Sequence, residues 1–156
     1  DYDTLTGLYN RRAFKRKSEA IFGRRKKIRH AAFIMMDLDN LKYINDTYGH
    51  AAGDAYLRRM AHLLMREEPV RRGLSFRIGG DEFVTLFEGE EEETLLRELE
   101  VFHMAGAQAE VNGEPVTFAY GVASYDPALD KGSLHNTLSR ADALMYRFKK
   151  AARGES

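Results

Sequence analysis

The most apolar stretch of the chain is a short run without polar interruptions. Residues Ala31 to Met36 are six consecutive apolar side chains, and the run ends abruptly at Asp37 and Asp39. A continuous apolar run of this length is typical of a strand buried on both faces. We therefore predict a first strand at Ala31–Met36 with two carboxylates at its end.

Four segments carry apolar residues at the spacing of an amphipathic helix. The first lies within residues 11–29, where ten Lys or Arg surround an apolar thread, so we predict a helix with a solvated basic face and a basic loop after it. The others span about residues 50–66, 90–107 and 134–153. Acids at 90–93 suit the start of the third helix, because negative charge is favourable at a helix N-terminus. Between the first strand and the helix at residues 50–66, Asn45, Asp46 and Gly49 predict a loop.

Glycine marks two β-hairpins. Residues 76–78 and 83–87 are short β-like segments on either side of Gly79-Gly80, and we expect these glycines to supply the positive φ of a tight turn. Asn112-Gly113 predicts a second hairpin between a short strand and residues 116–123. Because helices and strands do not alternate regularly, the predicted class is α+β with a mostly antiparallel sheet flanked by helices.

Composition narrows the class of protein. The 156 residues contain 24 Lys or Arg and 24 Asp or Glu, so no net positive field attracts nucleic acid, and we expect no nucleic-acid partner. The absence of Cys excludes disulfides and thiolate chemistry. No apolar run is long enough to span a bilayer and no signal peptide opens the chain. We expect a cytoplasmic domain without membrane contact of its own, whether or not the parent protein is membrane-anchored.

The candidate chemistry lies in two groups of acids. Asp37 and Asp39 close the predicted buried strand, and Asp81 and Glu82 lie at the Gly79-Gly80 turn, which could pair beside it. Carboxylates that converge from two strands suit Mg²⁺ or Mn²⁺, which prefer oxygen ligands and take further ligands from substrate phosphates. Glycines without Cβ also allow close approach of a ligand to the backbone. Either group alone is equally compatible with a plain turn or a cap.

Several motifs together resemble one known family. Residues 79–83 spell Gly-Gly-Asp-Glu-Phe, the name-giving motif of the GGDEF diguanylate cyclases. The opening Asp3-x-Leu-Thr-Gly-Leu-x-Asn-Arg-Arg, the segment from Asp37 to Asp54, Ser124 after Gly-Val-Ala, and the block from Ala141 to Lys149 are similar to other blocks of that family, in the same order. The resemblance covers the chain almost end to end.

The resemblance implies a fold similar to the palm of nucleotide cyclases and polymerases. It also implies a reaction in which two GTP are joined into cyclic di-GMP with release of two pyrophosphates, assisted by two Mg²⁺ or Mn²⁺ per active site. Each 3′-hydroxyl would attack the α-phosphate of the other GTP in line. One domain holds one GTP, so turnover requires a homodimer with facing half-sites.

The resemblance also assigns roles to residues of this sequence. The implied metal ligands are Asp37, the carbonyl of Leu38, Asp81 and Glu82; Asp81 and Glu82 are the implied catalytic acids, with Asp81 a proposed proton acceptor. Gly79 and Gly80 would allow close backbone approach. The implied guanine-binding residues are Asn45, His50 and Asp54. The implied phosphate-binding residues are Asn40, Leu41, Lys42, Lys149 and Arg153.

Three of these residues have an equally simple structural interpretation. His50 before a helix can be a capping or packing residue. Lys149 and Arg153 can complement the dipole at the end of the last helix. The stretch from Arg24 to Arg29 is either a docking surface or a solvated loop.

The chain departs from the family pattern at one informative place. Many members have an Arg-x-x-Asp product-binding site before the glycine hairpin, whereas here the corresponding positions are Val70 and Gly73. We therefore expect that inhibitory site to be absent. Met36 and Leu41 replace more usual phenylalanines but keep apolar bulk.

We expect one domain over residues 1–156, the C-terminal output domain of a longer sensor protein, since the sequence begins at Asp1. Dimerisation would then be driven by an N-terminal sensor or coiled-coil segment. The alternative function is a non-catalytic GTP-binding or interaction module in a signalling protein.

Overall fold

The computed structural model describes residues 1–22 and 30–154 of the chain. In these ranges the helices are α1 Arg11–Phe22, α2 Leu41–Tyr48, α3 His50–Arg66, α4 Glu92–Gln108, α5 Pro127–Asp130 and α6 Leu134–Ala152. The strands are β1 Ala31–Leu38, β2 Leu74–Arg77, β3 Glu82–Glu88, β4 Glu110–Val111, β5 Glu114–Pro115 and β6 Phe118–Ser124. A 3₁₀ turn, Val70–Arg72, precedes β2.

A four-stranded sheet in the order β2-β3-β1-β6 forms the centre of the fold, and β4 and β5 form a separate small hairpin. Every neighbouring pair in the central sheet is antiparallel. The predicted α+β class with a mostly antiparallel sheet is therefore confirmed. Strand β1 lies between β3 and β6, so its backbone is paired along both edges.

Helices cover both faces of this sheet, which explains the uninterrupted apolar run of β1. Ala32, Ile34 and Met36 belong to a core beneath α3 and α4. The alternate residues Phe33 and Met35 belong to a second core beneath α1 and α6. Because side chains alternate between the faces of a strand, both sets must be apolar.

The loop predicted between residues 40 and 49 is wrong, because most of this segment is helix α2. Asn40 has a left-handed conformation, with φ 65°, and Gly49, with φ 94°, ends the helix. Ile44 is 1% exposed and packs against the core beneath α3. Asn, Asp and Thr are weak helix formers, so tertiary packing of Ile44 outweighs local propensity.

The two hairpins are confirmed, with corrections to their details. Gly79 and Gly80 lack the positive φ that we expected of this turn, whereas Asn112 and Gly113 have φ 53° and 80°. The strand that follows Asn112-Gly113 ends at Pro115, and β6 joins β1 instead. The Val116 N–H turns back to donate to Ala109 O at 2.9 Å, which separates the hairpin from β6.

The remaining helices agree with the predicted segments, except for the short α5, which sequence reasoning missed. The Asp126 side chain caps α5 by accepting from two backbone N–H groups. The predicted basic loop, including Arg24–Arg29, lies outside the described residues. Within the residues that the structure describes, no helix combines the length and apolar character needed to cross a bilayer.

Helix α6 packs directly on the backbone of β6 at Gly121. A Cβ at this position would lie 2.1 Å from the Ala141 carbonyl oxygen and 2.4 Å from the Met145 backbone nitrogen. Both of these atoms belong to the helix backbone, so they cannot move aside as a flexible side chain would. The small size of Gly121 therefore sets how close α6 approaches the sheet.

We expect Gly121→Ala to lower the free energy of unfolding by about 2–3 kcal/mol, because the added methyl group forces the helix away from the sheet. The measurement is urea-induced unfolding. Gly80→Ala is the matched control, since no heavy atom lies within 4 Å of its added Cβ. Equal stability of the two variants would contradict this account of the contact.

Candidate active site

Carboxylates from two neighbouring strands meet at one end of the sheet. Asp37 lies near the end of β1 and is the register partner of Glu82, the first residue of β3. Asp81 directly precedes Glu82, and its carbonyl accepts a 2.8 Å hydrogen bond from the Leu38 N–H. The structure thus brings together the four residues predicted as metal ligands.

Asp37 is paired on one side only. Its Oδ2 accepts a 2.5 Å hydrogen bond from Lys149 Nζ, which reaches the strand from the last turn of α6. Its Oδ1 is buried and has no hydrogen-bond partner among the residues described here. Hydrogen bonding to Asp37, opposed by burial, raises the pKa of Lys149, so the ammonium remains charged at neutral pH.

Burial and neighbouring negative charge oppose the ionisation of Asp81 and Glu82. Burial, and then the negative charge of Asp37, raises the pKa of Asp81. Burial, followed by the charges of Asp37 and Asp81, also raises the pKa of Glu82. A cation at this end of the sheet would relieve the repulsion, since a nearby positive charge favours the ionised form of a carboxylate.

The glycine turn between β2 and β3 is held by residues that sequence reasoning did not single out as site residues. The Arg77 guanidinium donates to the Gly80 carbonyl at 2.9 and 3.2 Å and contacts both carboxylate oxygens of Asp3 at 3.2 Å. Asp3 also accepts from the Thr6 N–H and hydroxyl. The only sequence signal was Asp3 within the opening motif, because Arg77 was interpreted simply as a strand residue.

Gly79 makes room for a site residue. A Cβ on Gly79 would lie 2.8 Å from Glu82 Oε1, whereas nothing lies within 4 Å of a Cβ on Gly80. The first glycine therefore allows the Glu82 carboxylate to fold back over the turn. This is a steric role, different from the positive φ predicted from the sequence.

A cleft of about 370 Å³ opens beside the carboxylates. Its lining includes Leu38, Asp81 and all five predicted phosphate-binding residues, namely Asn40, Leu41, Lys42, Lys149 and Arg153. Lys149 is directed to Asp37, so its contacts are not explained by the helix dipole alone. A cleft of this size with cationic side chains at one wall is suited to a phosphorylated ligand.

The predicted guanine-binding residues lie on two adjoining helices. Asn45 is on α2, whereas His50 and Asp54 are in the first two turns of α3. Asn45 lies against Gly53, where a Cβ would come within 1.7 Å of Asn45 Oδ1. Gly53 thus permits the Asn45 side chain to reach this position, a role that the sequence did not reveal. His50 is exposed, is the first residue of α3 and makes no capping hydrogen bond, so the alternative interpretation as a capping or packing residue is wrong, while its role in guanine binding stays a prediction.

The residues present fit a divalent cation that is shared with a substrate. Within the described part of the chain, no three His, Asp or Glu side chains surround a common metal position. The buried Oδ1 of Asp37 nevertheless has no donor, and the neighbouring Asp81 carboxylate adds a second anionic group, whose pKa is raised by burial and by the charge of Asp37. Mg²⁺ is commonly bound by only one or two protein carboxylates, with its other ligands from phosphates and water. Asp37, Asp81 and the Leu38 carbonyl are the residues that would hold it.

The fold and the site define an α+β domain with an acidic site where two inner strands of an antiparallel sheet meet at one end. A family model described as "Diguanylate cyclase, GGDEF domain" matches residues 1–155. The chain belongs to this family of GGDEF domains.

Similar proteins support the same assignment. Diguanylate cyclase DgcM of Escherichia coli is 34% identical over 157 residues, which cover 97% of this chain and 37% of DgcM. A sensory box/GGDEF family protein from Caulobacter crescentus is 30% identical with a TM-score of 0.78, covering 96% of this chain and 98% of that one. The coiled coil and GGDEF domain of DgcB from Caulobacter crescentus, solved with c-di-GMP, is 28% identical with a TM-score of 0.80 and covers 99% and 83%.

We expect Asp81→Asn to stabilise the ligand-free protein at neutral pH. A carboxylate whose pKa is raised by folding favours the native state only while it is protonated, and this contribution is lost as the pH rises through the folded-state pKa. Removing the charge should therefore raise the Tm in EDTA by about 1–2 °C, a small gain because water screens the repulsion at this partly exposed carboxylate.

Thermal unfolding at pH 7 and at lower pH measures this effect. The gain should shrink as the pH falls, because wild-type Asp81 then becomes protonated. Asp46→Asn, on the exposed face of α2, is the matched control. If Asp81→Asn unfolds at a lower temperature than this control at pH 7, the carboxylates do not repel each other as described.

Proposed function

We propose that this domain is a diguanylate cyclase, which condenses two GTP into cyclic di-GMP and two pyrophosphates with Mg²⁺ or Mn²⁺, two ions per active site. The observation that carries the proposal is the cleft, whose lining combines Asp81, a neighbour of Asp37, with the cationic side chains of Lys42, Lys149 and Arg153. It joins a site for a divalent cation to a site for phosphates, as phosphoryl transfer requires.

The chemistry follows from the placement of the side chains. Lys42, Lys149 and Arg153 hold the triphosphate in the cleft and offset its charge. Asp37, Asp81 and the Leu38 carbonyl hold the metal, which when bound lowers the pKa of the attacking 3′-hydroxyl and neutralises charge at the α-phosphate. The pKa of Glu82 is raised by burial and by its acidic neighbours, which suits this acid to exchange a proton. Asp81 is less suited to this role while it binds metal.

Guanine selection is assigned to the junction of α2 and α3. The Asp54 carboxylate accepts from the N1–H and amino group of guanine, and Asn45 offers an amide to the same base. Adenine lacks that pair of donors. A site with such hydrogen bonds discriminates strongly against the wrong base, because an unpaired polar group is then left buried.

Turnover requires two domains, because each holds one GTP and each 3′-hydroxyl attacks the other nucleotide. We propose a homodimer with facing clefts. An N-terminal sensor or coiled-coil segment of the parent protein would bring them together; the DgcB structure contains a coiled coil joined to its GGDEF domain.

We also propose that product does not inhibit this domain at the surface before the glycine hairpin. Val70 and Gly73 replace the charged residues of the family motif there, and Val70 is fully buried. The neighbouring Arg72 is already bound by Glu68, Glu90 and Glu98 at 2.5–2.9 Å. Its donors are thereby engaged within the protein.

The central test is incubation of concentrated protein with GTP and Mg²⁺, with products resolved by chromatography. We expect cyclic di-GMP from the wild type and a loss of about 100-fold or more in Asp81→Ala, because a residue that would hold the metal at the reacting phosphates is removed. Asp46→Ala, at an exposed site on α2, serves as the control.

Specific activity should rise with protein concentration, and added cyclic di-GMP should not inhibit. If GTP binds but no product forms, even with an artificial dimeriser fused to the N-terminus, the domain is a non-catalytic nucleotide-binding module. Inhibition that is lost in Arg71→Ala or Arg72→Ala would refute only the proposal about the product.

A second prediction concerns Gly53→Ala, whose methyl group displaces the Asn45 side chain. We expect KM for GTP to rise about tenfold, or about 1.4 kcal/mol, with a smaller preference for GTP over ATP. Stability should hardly fall, because alanine favours the helix over glycine. Steady-state kinetics with both nucleotides and a thermal unfolding curve measure these effects. An unchanged KM would argue against Asn45 as a guanine-binding residue.

A further inference from the structure

The Tyr56 side chain lies where three segments of the chain meet, namely α3, the turn that contains Asp39, and residues 115–117. Tyr56 belongs to α3, two residues after Asp54, and its side chain is fully buried. In the sequence it is one of several apolar positions on the inner face of this helix. In the structure, however, its hydroxyl group contacts backbone atoms of two segments outside α3.

The hydroxyl is surrounded by one donor and two acceptors. It donates to the Asp39 carbonyl at 2.9 Å, with the Pro115 carbonyl as a second acceptor at 3.3 Å. It also accepts from the Thr117 N–H at 3.2 Å. A buried hydroxyl that both donates and accepts in this way links its partners strongly, since each would otherwise be left without a hydrogen bond.

The backbone of Asp39 is consequently fixed on both sides. Its N–H donates to the Thr117 carbonyl at 2.8 Å, while its own carbonyl accepts from Tyr56. Leu38 precedes it, and Asn40, in the left-handed conformation, follows it at the start of α2. One hydroxyl group therefore links the turn that places the Leu38 carbonyl and the first phosphate-binding residues to α3, in addition to the packing of α2 on α3.

We propose that Tyr56 is a positioning residue that fixes the guanine-binding end of α3 relative to the turn at residues 38–42. This inference rests on the proposed function, because it concerns how one GTP is held at its two ends. GTP gains from binding at both the guanine region and the phosphate region only when the distance between these regions matches the nucleotide. A loosened joint should therefore weaken binding of the whole nucleotide more than binding of either part.

The variant Tyr56→Phe keeps the ring in the core and removes the hydroxyl. Tyr125→Phe is the matched control, because its hydroxyl also accepts from a backbone N–H, that of Gly132 at 2.7 Å, near α5. NMR titrations of both variants and the wild type would use three probes: the α,β-methylene analogue of GTP with Mg²⁺, guanosine alone, and tripolyphosphate alone.

For Tyr56→Phe we expect affinity for the GTP analogue to fall about fivefold to tenfold, while the affinities for guanosine and tripolyphosphate stay within about twofold of wild type. Tyr125→Phe should match the wild type for all three probes. Equal losses for the whole analogue and for the fragments, or no loss at all, would overturn the inference.

Two further observations separate this inference from the proposed function and from a failure to fold. If the wild type binds the GTP analogue but forms no product, the proposed cyclase activity is refuted, and the titrations still test the role of Tyr56. If the wild type binds none of the three probes, both the proposed function and the inference about Tyr56 are refuted. Hydrogen exchange of the wild type needs no variant. The amides of Asp39 and Thr117 should be protected like those inside α3, and exchange as fast as at Asn112 and Gly113 would contradict the linkage.

Discussion

The arrangement depends on a single constraint, which is that a strand buried on both faces carries a charged residue just before its last position. Strand β1 is paired with β3 and β6 and covered by helices above and below, so its backbone has almost no freedom. Asp37 is the one residue of β1 that is not fully buried. Its backbone is held by pairing with both neighbouring strands, and a site on such a strand is more precisely placed than one on a loop.

This constraint has an electrostatic consequence. Register pairing places Glu82 opposite Asp37, and the turn places Asp81 beside them, so the negative charge of Asp37 acts on both of the other carboxylates. Lys149 offsets one of them from the far end of α6. The depth at which α6 packs, set by Gly121, therefore also sets where its ammonium lies relative to Asp37. Packing far from the site and charge within it are coupled through one helix.

The sequence predicted the sheet, most helices and the acidic cluster, because these depend on periodicity and on motifs of adjacent residues. It did not predict α2, where the burial of Ile44 overrides weak helix formers. Nor did it reveal the roles of Gly53, Arg77 and Tyr56, since each acts on a partner that is distant in sequence or adjacent only across a helix packing interface. Such roles depend on distances between elements, which no local pattern encodes. The positive φ assigned to Gly79 failed for the same reason, since the glycine serves the Glu82 side chain.

The raised pKa values of Asp81 and Glu82 mean that these carboxylates, when ionised, destabilise the folded protein in the absence of a ligand. The fold tolerates this because β1 and the cores on its two faces hold the strand ends together. Any ligand that brings positive charge to the carboxylates relieves the repulsion only in the folded state, so its binding energy adds to the stability of the domain. The same crowding that costs stability would therefore favour a bound cation. Since the proposed cation site and the cleft share Asp81 and Leu38, binding of metal and of phosphate would then reinforce each other.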